Sequence, residues 1–479
     1  IIHESGMRNT EVNNERFTAT PTNLIERRIE PIEIRRHNDV LYADFGKAAF
    51  GTIEFRIAPG SSDLHCAIHL GETVGSNERI DREPAGSIFH LRIEQEIPAG
   101  QTAVRVVIPC NERNTGPGAI RMPESIGEVC PFRYVEIENA DTIDAASLRQ
   151  VRVQYPFDES ASSFESSDAV LNAVWDVSKY SILATSFCGV YVDGNRERIP
   201  YEADSYINQL SHYCVDSEYD MARYTHEYLL QYPTWPTEWQ MFSVLIAWED
   251  YLYTGDTRSI ETFYDDLHVK TLIDLADANG LISTRSERCD CALEERLHLY
   301  HDRYIFDHGL QDIVDWPPGS FTEGGQGERD GHEMCRINTV INAFHYRALV
   351  LFARIAAALG RSRHVIQFQE QADLVLRSFN TTFYDDTRGV YLDGIGTTHA
   401  SLHSNMYALA FGLVPDDRKQ RVVEFIISRG MACSVYGAQF LLEALYLSNQ
   451  SDAPLSLLTA KDDRSWWNMI RVGSTVTLE

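Results

Sequence analysis

Two textures divide the chain. Between about residues 30 and 155, apolar and polar positions alternate over short runs, as in Val40-Leu-Tyr-Ala-Asp44, Gly51-Thr-Ile-Glu-Phe-Arg56, Ser87-Ile-Phe-His-Leu-Arg92 and Ala103-Val-Arg-Val-Val-Ile108. A period of two, punctuated by Pro98-Ala-Gly100 and Asn114-Thr-Gly-Pro-Gly118, predicts antiparallel strands in a jelly-roll-like β-sandwich. After Pro156 the period lengthens to three or four, which predicts helices over 168–187, 205–231, 239–254, 259–278, 335–359, 362–380, 402–412, 417–429 and 436–448, with a shorter one near 453–460.

About ten successive helices with no strand period and no fixed repeat predict a closed (α/α)6-type helical barrel of dissimilar hairpins over a regular solenoid. Such a barrel needs twelve helices, so the count predicts a barrel incomplete at its C-terminal end. The expected division is an extension or the end of a preceding domain at 1–29, a β-sandwich at 30–158 and the barrel at 159–479.

A chain of 479 residues is long enough for several domains, and 44% hydrophobic with 23% charged residues is an ordinary globular composition. Its 70 acidic and 42 basic side chains give a net charge of −28. With no basic cluster to offset it, that field excludes nucleic acid and anionic membrane as expected partners and suits an uncharged ligand. No uninterrupted apolar run reaches the roughly 18 residues of a membrane span. The chain begins at Ile1, so its start carries no reading of compartment. The nine cysteines are odd in number and share no repeated spacing, unlike a disulfide framework. Cys289-Asp-Cys291 with His298 and His301 lacks the usual gap between zinc-binding cysteines and reads as a loop, so neither a metal nor a cofactor is expected.

The densest polar segment is Asp193-Gly-Asn-Arg-Glu-Arg-Ile-Pro-Tyr-Glu-Ala-Asp204, with four carboxylates and two arginines in twelve residues. A solvated loop has the same composition, but this one is bracketed by apolar helices and carries Tyr201, which solvation does not require. Glycoside hydrolysis needs one carboxylic acid to protonate the leaving oxygen and a second carboxylate to activate water or attack the sugar. The charges of Asp193 and Asp204 are expected to raise the pKa of Glu197, while the arginines hold the other carboxylates ionised. Trp235, Trp239, Trp316, Trp466 and Trp467 lie near helix boundaries, where rings either stack on sugar faces or staple loops to the barrel. The segment between Leu281 and Cys335 has little helical period, and a connection of that length is usually functional. It holds Asp315-Trp316, Glu328-Arg-Asp-Gly331 and a glycine-rich stretch, 320–327, that reads as a mobile insert.

Asp193 through Asp204 resembles the acidic signature of the bacterial α-L-rhamnosidases, glycoside hydrolase family 78, which runs Asp-Cys-Pro-Gln-Arg-Asp/Glu-Glu-Arg-Leu-Gly-Trp-Thr-Gly-Asp. Asp193 matches the opening aspartate, Arg196-Glu197-Arg198 the Arg-Glu-Arg core, Tyr201 the tryptophan and Asp204 the closing aspartate. Two residues are missing from the first half, and Pro200 and Ala203 stand where the signature has glycines. Phe132-Arg-Tyr-Val-Glu-Ile137, Phe164-Glu-Ser-Ser-Asp168 with Leu171-Asn172, Asp315-Trp316, Arg329-Asp-Gly331, 408–415 and 473–479 also look like family segments, in the right order. The resemblance implies Glu197 as general acid and Glu479 as general base of an inverting mechanism on terminal α-L-rhamnosides. It also implies Asp193, Arg196, Tyr201, Asp204, Asp315 and Trp316 around the sugar, to which the aromatic positions add Trp235 and Trp239.

Two other readings remain open on the residues alone. A polysaccharide lyase uses the same scaffold with a Tyr or His base, for which Tyr201 and His212 are candidates, though it should offer more basic residues to a uronate. A non-catalytic carbohydrate-binding or assembly module is the other. A rhamnose-containing glycan or glycoside is the expected partner in the first case, with a second copy of the chain as a further candidate.

Overall fold

The computed structural model describes residues 14–20, 22–116, 118–194, 196–299, 309–316 and 328–478. An antiparallel sheet is followed by a helical domain. The sheet comprises β1 (Ile25–Ile29), β2 (Glu33–His37), β3 (Val40–Ile57), β4 (Leu64–Gly71), β5 (His90–Ile97), β6 (Ala103–Arg105), β7 (Cys130–Glu138) and β8 (Ile143–Gln154). Hydrogen bonds join all eight in the order β1-β8-β3-β7-β4-β5, with β2 and β6 also on β3. The runs 40–44 and 51–56, read as separate strands, are one strand that a register shift between Asp44 and Ala49 divides. Its early residues pair with β2 and β7 and its later ones with β6 and β8. Residues 25–29, expected ahead of the sheet, form its edge strand.

The helices are α1 (Ala169–Thr185), α2 (Glu202–Val215), α3 (Asp220–Gln231), α4 (Thr237–Thr254), α5 (Arg258–Thr262), α6 (Tyr264–Lys270), α7 (Cys291–Arg296), α8 (Thr339–Ala358), α9 (Ser362–Thr382), α10 (Leu402–Ala410), α11 (Asp416–Arg429), α12 (Val435–Leu447), α13 (Asp452–Leu458) and α14 (Trp466–Arg471). Two predicted helices are broken. The single helix expected over 205–231 stops at Asp216, whose carboxylate accepts from the N–H of Ser217, and restarts after Glu218, whose carboxylate accepts from that of Asp220. Such local bonds offer the backbone an alternative to the helix. The helix expected over 259–278 is interrupted at Phe263, between α5 and α6, and again before a short 3-10 turn, where Leu272 adopts φ 57°.

Five helices, α2, α4, α8, α10 and α12, pack successively and α12 returns to α2, giving an inner ring. Their interior meets at Phe440 of α12. Its ring contacts Tyr206 of α2 (centroids 5.8 Å), Phe242 of α4 (5.8 Å), Phe344 of α8 (5.9 Å), Tyr407 of α10 (5.1 Å) and Phe411, which caps the C-terminal end of α10 (5.4 Å). Helices enclosed on all sides read as apolar throughout. That is why α8, by length and composition the one helix among the described residues apolar enough to cross a membrane, is mostly buried here.

The sheet is fastened to the helices by a shared core of Phe50, Met122, Val129 and Val153 with Phe187, Cys188 and Val192. Phe50 and Phe187 stack at 4.0 Å with planes 9° apart. Removing the central ring by Phe440→Ala should lower unfolding stability by about 3–5 kcal/mol, since a large cavity opens where five helices meet. A urea titration measures this, and a loss near that of an exposed substitution would contradict the central role of Phe440.

Candidate active site

After α1 the chain runs through buried Val190–Val192 and turns back at Gly194, whose φ of 72° suits glycine and whose Cα faces the Phe50 ring. This turn folds Asp193 onto the residues that follow. Arg196 Nε donates to Asp193 Oδ2 at 3.1 Å and to Glu197 Oε2 at 2.9 Å, and the Tyr201 hydroxyl donates to Glu197 Oε1 at 2.9 Å. Asp193 and Glu197 are also hydrogen-bonded to each other. One guanidinium and one shared proton therefore serve two carboxyl groups.

The proton lies on the side opposite to the one expected. Burial, followed by the charge and hydrogen bond of Glu197, pushes Asp193 up to about 8. Glu197 is also raised by burial, but the Asp193 hydrogen bond, Arg196 and the Tyr201 hydroxyl together bring it below the usual glutamate value. The reason is depth: the Asp193 side chain is 9% exposed against 26% for Glu197, so ionisation is penalised first at Asp193. Asp204, in the first turn of α2, adds its charge to the same space and raises Asp193 and Tyr201.

Behind this bend stand partners that the sequence reading did not single out. Glu202, fully enclosed, accepts from the N–H and hydroxyl of Thr234, and feels the charge of buried Lys270. The Lys270 ammonium donates to Gln240 Oε1 at 2.6 Å, and burial pulls it down to about 8. Trp239 meets Tyr201 edge-on at 5.5 Å and Tyr436 at 6.1 Å, and being 5% exposed it buttresses the tyrosine instead of facing solvent. Trp235 is half-buried beside it, whereas Trp316 is 42% exposed.

Trp316 is aimed by strained backbone. Val314 holds φ 66°, rare for a β-branched residue, with its N–H and that of Ile313 bonded to the Glu238 carboxyl. Burial, then the charge of Asp312, pushes Glu238 up to about 8. Asp315, expected at the sugar, is instead wholly enclosed. Its Oδ2 lies 2.6 Å from His403 Nε2 and accepts from Ser434 N at 2.9 Å, while Oδ1 accepts from Trp316 N at 2.9 Å. A Cβ on Gly437 would approach that Oδ2 to 2.8 Å. Arg329 is half-buried near Tyr436, Glu238 and Asp315, and burial lowers its pKa.

Glu202, Glu238, His403, Ser434 and Tyr436 all lie in or beside the first turns of inner helices. The signal that finds them is a polar first turn on an otherwise apolar helix. Other expectations fall elsewhere. His212 is buried, bonded to the Tyr191 hydroxyl at 2.7 Å and stacked on Phe157, so it cannot take a proton from a sugar. The Tyr201 hydroxyl is raised far above its ordinary value by burial, leaving it a donor and removing it too as a lyase base. His298 pairs with Asp266 at 2.8 Å, and no group of three metal-binding side chains occurs among the described residues. His301, the stretch 320–327 and Glu479 lie outside the described residues.

A sheet followed by a domain of packed helices, with paired carboxyls on the segment that leads into α2, fits the six-hairpin glycosidase class. The family model for the bacterial alpha-L-rhamnosidase six-hairpin glycosidase domain matches residues 159–479, and the chain belongs to that family. No curated protein sequence matches it. Among solved structures it is similar to a family 78 rhamnosidase of Bacillus sp. GL1 (TM-score 0.64, 18% identity, 94% of this chain and 44% of that one). It is also similar to an alpha-L-rhamnosidase from Dictyoglumus thermophilum (0.68, 16%, 94% and 48%) and to a rhamnosidase from Klebsiella oxytoca with rhamnose bound (0.64, 13%, 95% and 89%). At these identities the likeness is one of fold. The chain spans less than half the length of the first two.

Asp193 keeps its proton in the folded chain up to about pH 8 but loses it near 3.8 when unfolded, so folding takes up a proton between those values and stability falls as pH rises through them. Asp193→Asn removes this dependence. Urea unfolding between about pH 5 and 7 should show the parent losing ground to the variant by at most about 1.4 kcal/mol per pH unit. Parallel profiles would refute the placement of the proton.

Proposed function

We propose that this chain is the catalytic portion of an inverting α-L-rhamnosidase that removes terminal rhamnosyl groups from a glycan or glycoside. The observation that carries the reading is the Asp193–Arg196–Glu197–Tyr201 constellation at the N-terminal end of the inner ring. The division at about residue 158 into a jelly-roll-like sandwich and an (α/α)6-type barrel belongs to the same proposal. The rhamnose bound in the Klebsiella oxytoca structure supports the sugar class.

In this reading the Asp193–Glu197 pair holds one proton at neutral pH, and Glu197, the more exposed partner, delivers it to the departing glycosidic oxygen. Negative charge left on the pair is met by Arg196. Glu479 is the base that activates water in this reading, since inversion calls for a second carboxylate, the two carboxyl groups being roughly 6.5–9.5 Å apart in inverting enzymes generally. Arg196 and Asp204 hold sugar hydroxyls, and Trp316 offers its face to the apolar side of the ring. Asp315 works one step back, fixing Trp316.

Release of nitrophenol from p-nitrophenyl α-L-rhamnoside, with the β-anomer of rhamnose appearing first by NMR, is the expected result. Glu197→Gln should lower kcat by about 10²–10⁴-fold. Activity should decline above about pH 8 as the pair loses its remaining proton. Rhamnose binding without nitrophenol release would return the chain to a binding module, and an ultraviolet-absorbing unsaturated product would indicate elimination.

A further inference from the structure

We infer that the sheet domain is part of the acid's positioning apparatus, acting through Glu128: the Glu128–Arg198 ion pair is the strut that fixes the bend presenting Glu197. The inference rests on Glu197 being the acid. Arg198, its immediate neighbour, is the bulkiest fully enclosed side chain of the described residues. Its guanidinium donates to Glu128 Oε2 at 2.8 Å and to the Val129 carbonyl at 3.0 Å, and lies 5.5 Å above the Phe187 ring. Glu128 and Val129 are the two residues before β7, seventy positions away in sequence, so this contact crosses from helical domain to sheet.

The backbone of Arg198 does the complementary work. It sits at φ 56°, a conformation disfavoured for any residue with a Cβ. Its N–H donates to Asp193 Oδ1 at 3.2 Å, and its carbonyl accepts from Ile120 N at 2.9 Å. One residue, adjacent to Glu197 in the chain, thus ties Asp193 to the 120–129 segment of the sheet domain. Without Glu128 an enclosed guanidinium loses its carboxylate and must move toward solvent. The left-handed bend then relaxes, and Glu197 shifts with it. Glu128 is a positioning residue and lies outside the 159–479 segment that the family model matches.

The test uses the whole chain and four variants: Glu128→Ala, Glu128→Gln, Arg198→Lys and, as control, Glu26→Ala, which breaks an ion pair with Arg105 at the sheet edge. Displacing an acid by about an ångström costs on the order of 10²-fold in rate. Glu128→Ala should therefore lose on the order of 10²-fold in kcat with KM little changed, while Glu128→Gln, which keeps an acceptor, and Arg198→Lys lose less and Glu26→Ala loses nothing. Equal kcat in Glu128→Ala and the control overturns the strut. A second readout is independent of catalysis: the carboxyl carbon titration of Asp193 by NMR should move in Glu128→Ala and Glu128→Gln but not in Glu26→Ala. If the parent releases no nitrophenol, the proposed function fails while this titration still decides the strut, and an unmoved Asp193 rejects it.

Discussion

Everything at the candidate site depends on aromatic rings meeting at Phe440. Because Tyr206, Phe242, Phe344, Tyr407 and Phe411 all close on that ring, the five inner helices are held at a common level and their first turns gather at one end. Their N-terminal ends carry positive partial charge, which suits the carboxyl groups of Glu202, Asp204 and Glu238 even in a chain of net charge −28.

The carboxyl groups then divide by depth. Asp193 and Glu197 sit close enough to the surface to meet a ligand and share one arginine. Glu202, Glu238 and Asp315 lie beneath, each occupied by backbone N–H groups or buried side chains. The deeper set leaves little slack for Tyr201 and Trp316 above it. The Glu238 clamp on left-handed Val314 is an example of strain kept at a site by its surroundings.

How far the sequence could be read follows from the range of each interaction. Local periodicity located the long inner helices α4, α8, α10 and α12, because a buried helix shows its apolar spacing directly. It missed the breaks at Asp216 and Leu272, where side-chain bonds and one left-handed residue outweigh propensity. The charge density of 193–204 marked the acidic bend. It could not tell which carboxyl keeps the proton, since that depends on burial supplied by distant segments. The family resemblance implies Asp315 at the sugar, yet its enclosure is created by His403 and Ser434, about ninety and a hundred and twenty residues later, which no local pattern shows.

Gly437 lies inside α12, where glycine costs about 1 kcal/mol relative to alanine and would be among the first choices for replacement in a thermostabilised variant. Here the missing methyl is the space occupied by the Asp315 carboxylate. Engineering for heat resistance at that position would therefore trade helix propensity against the aim of the Trp316 ring, and any sequence that gives up the glycine must re-house the aspartate at the same time.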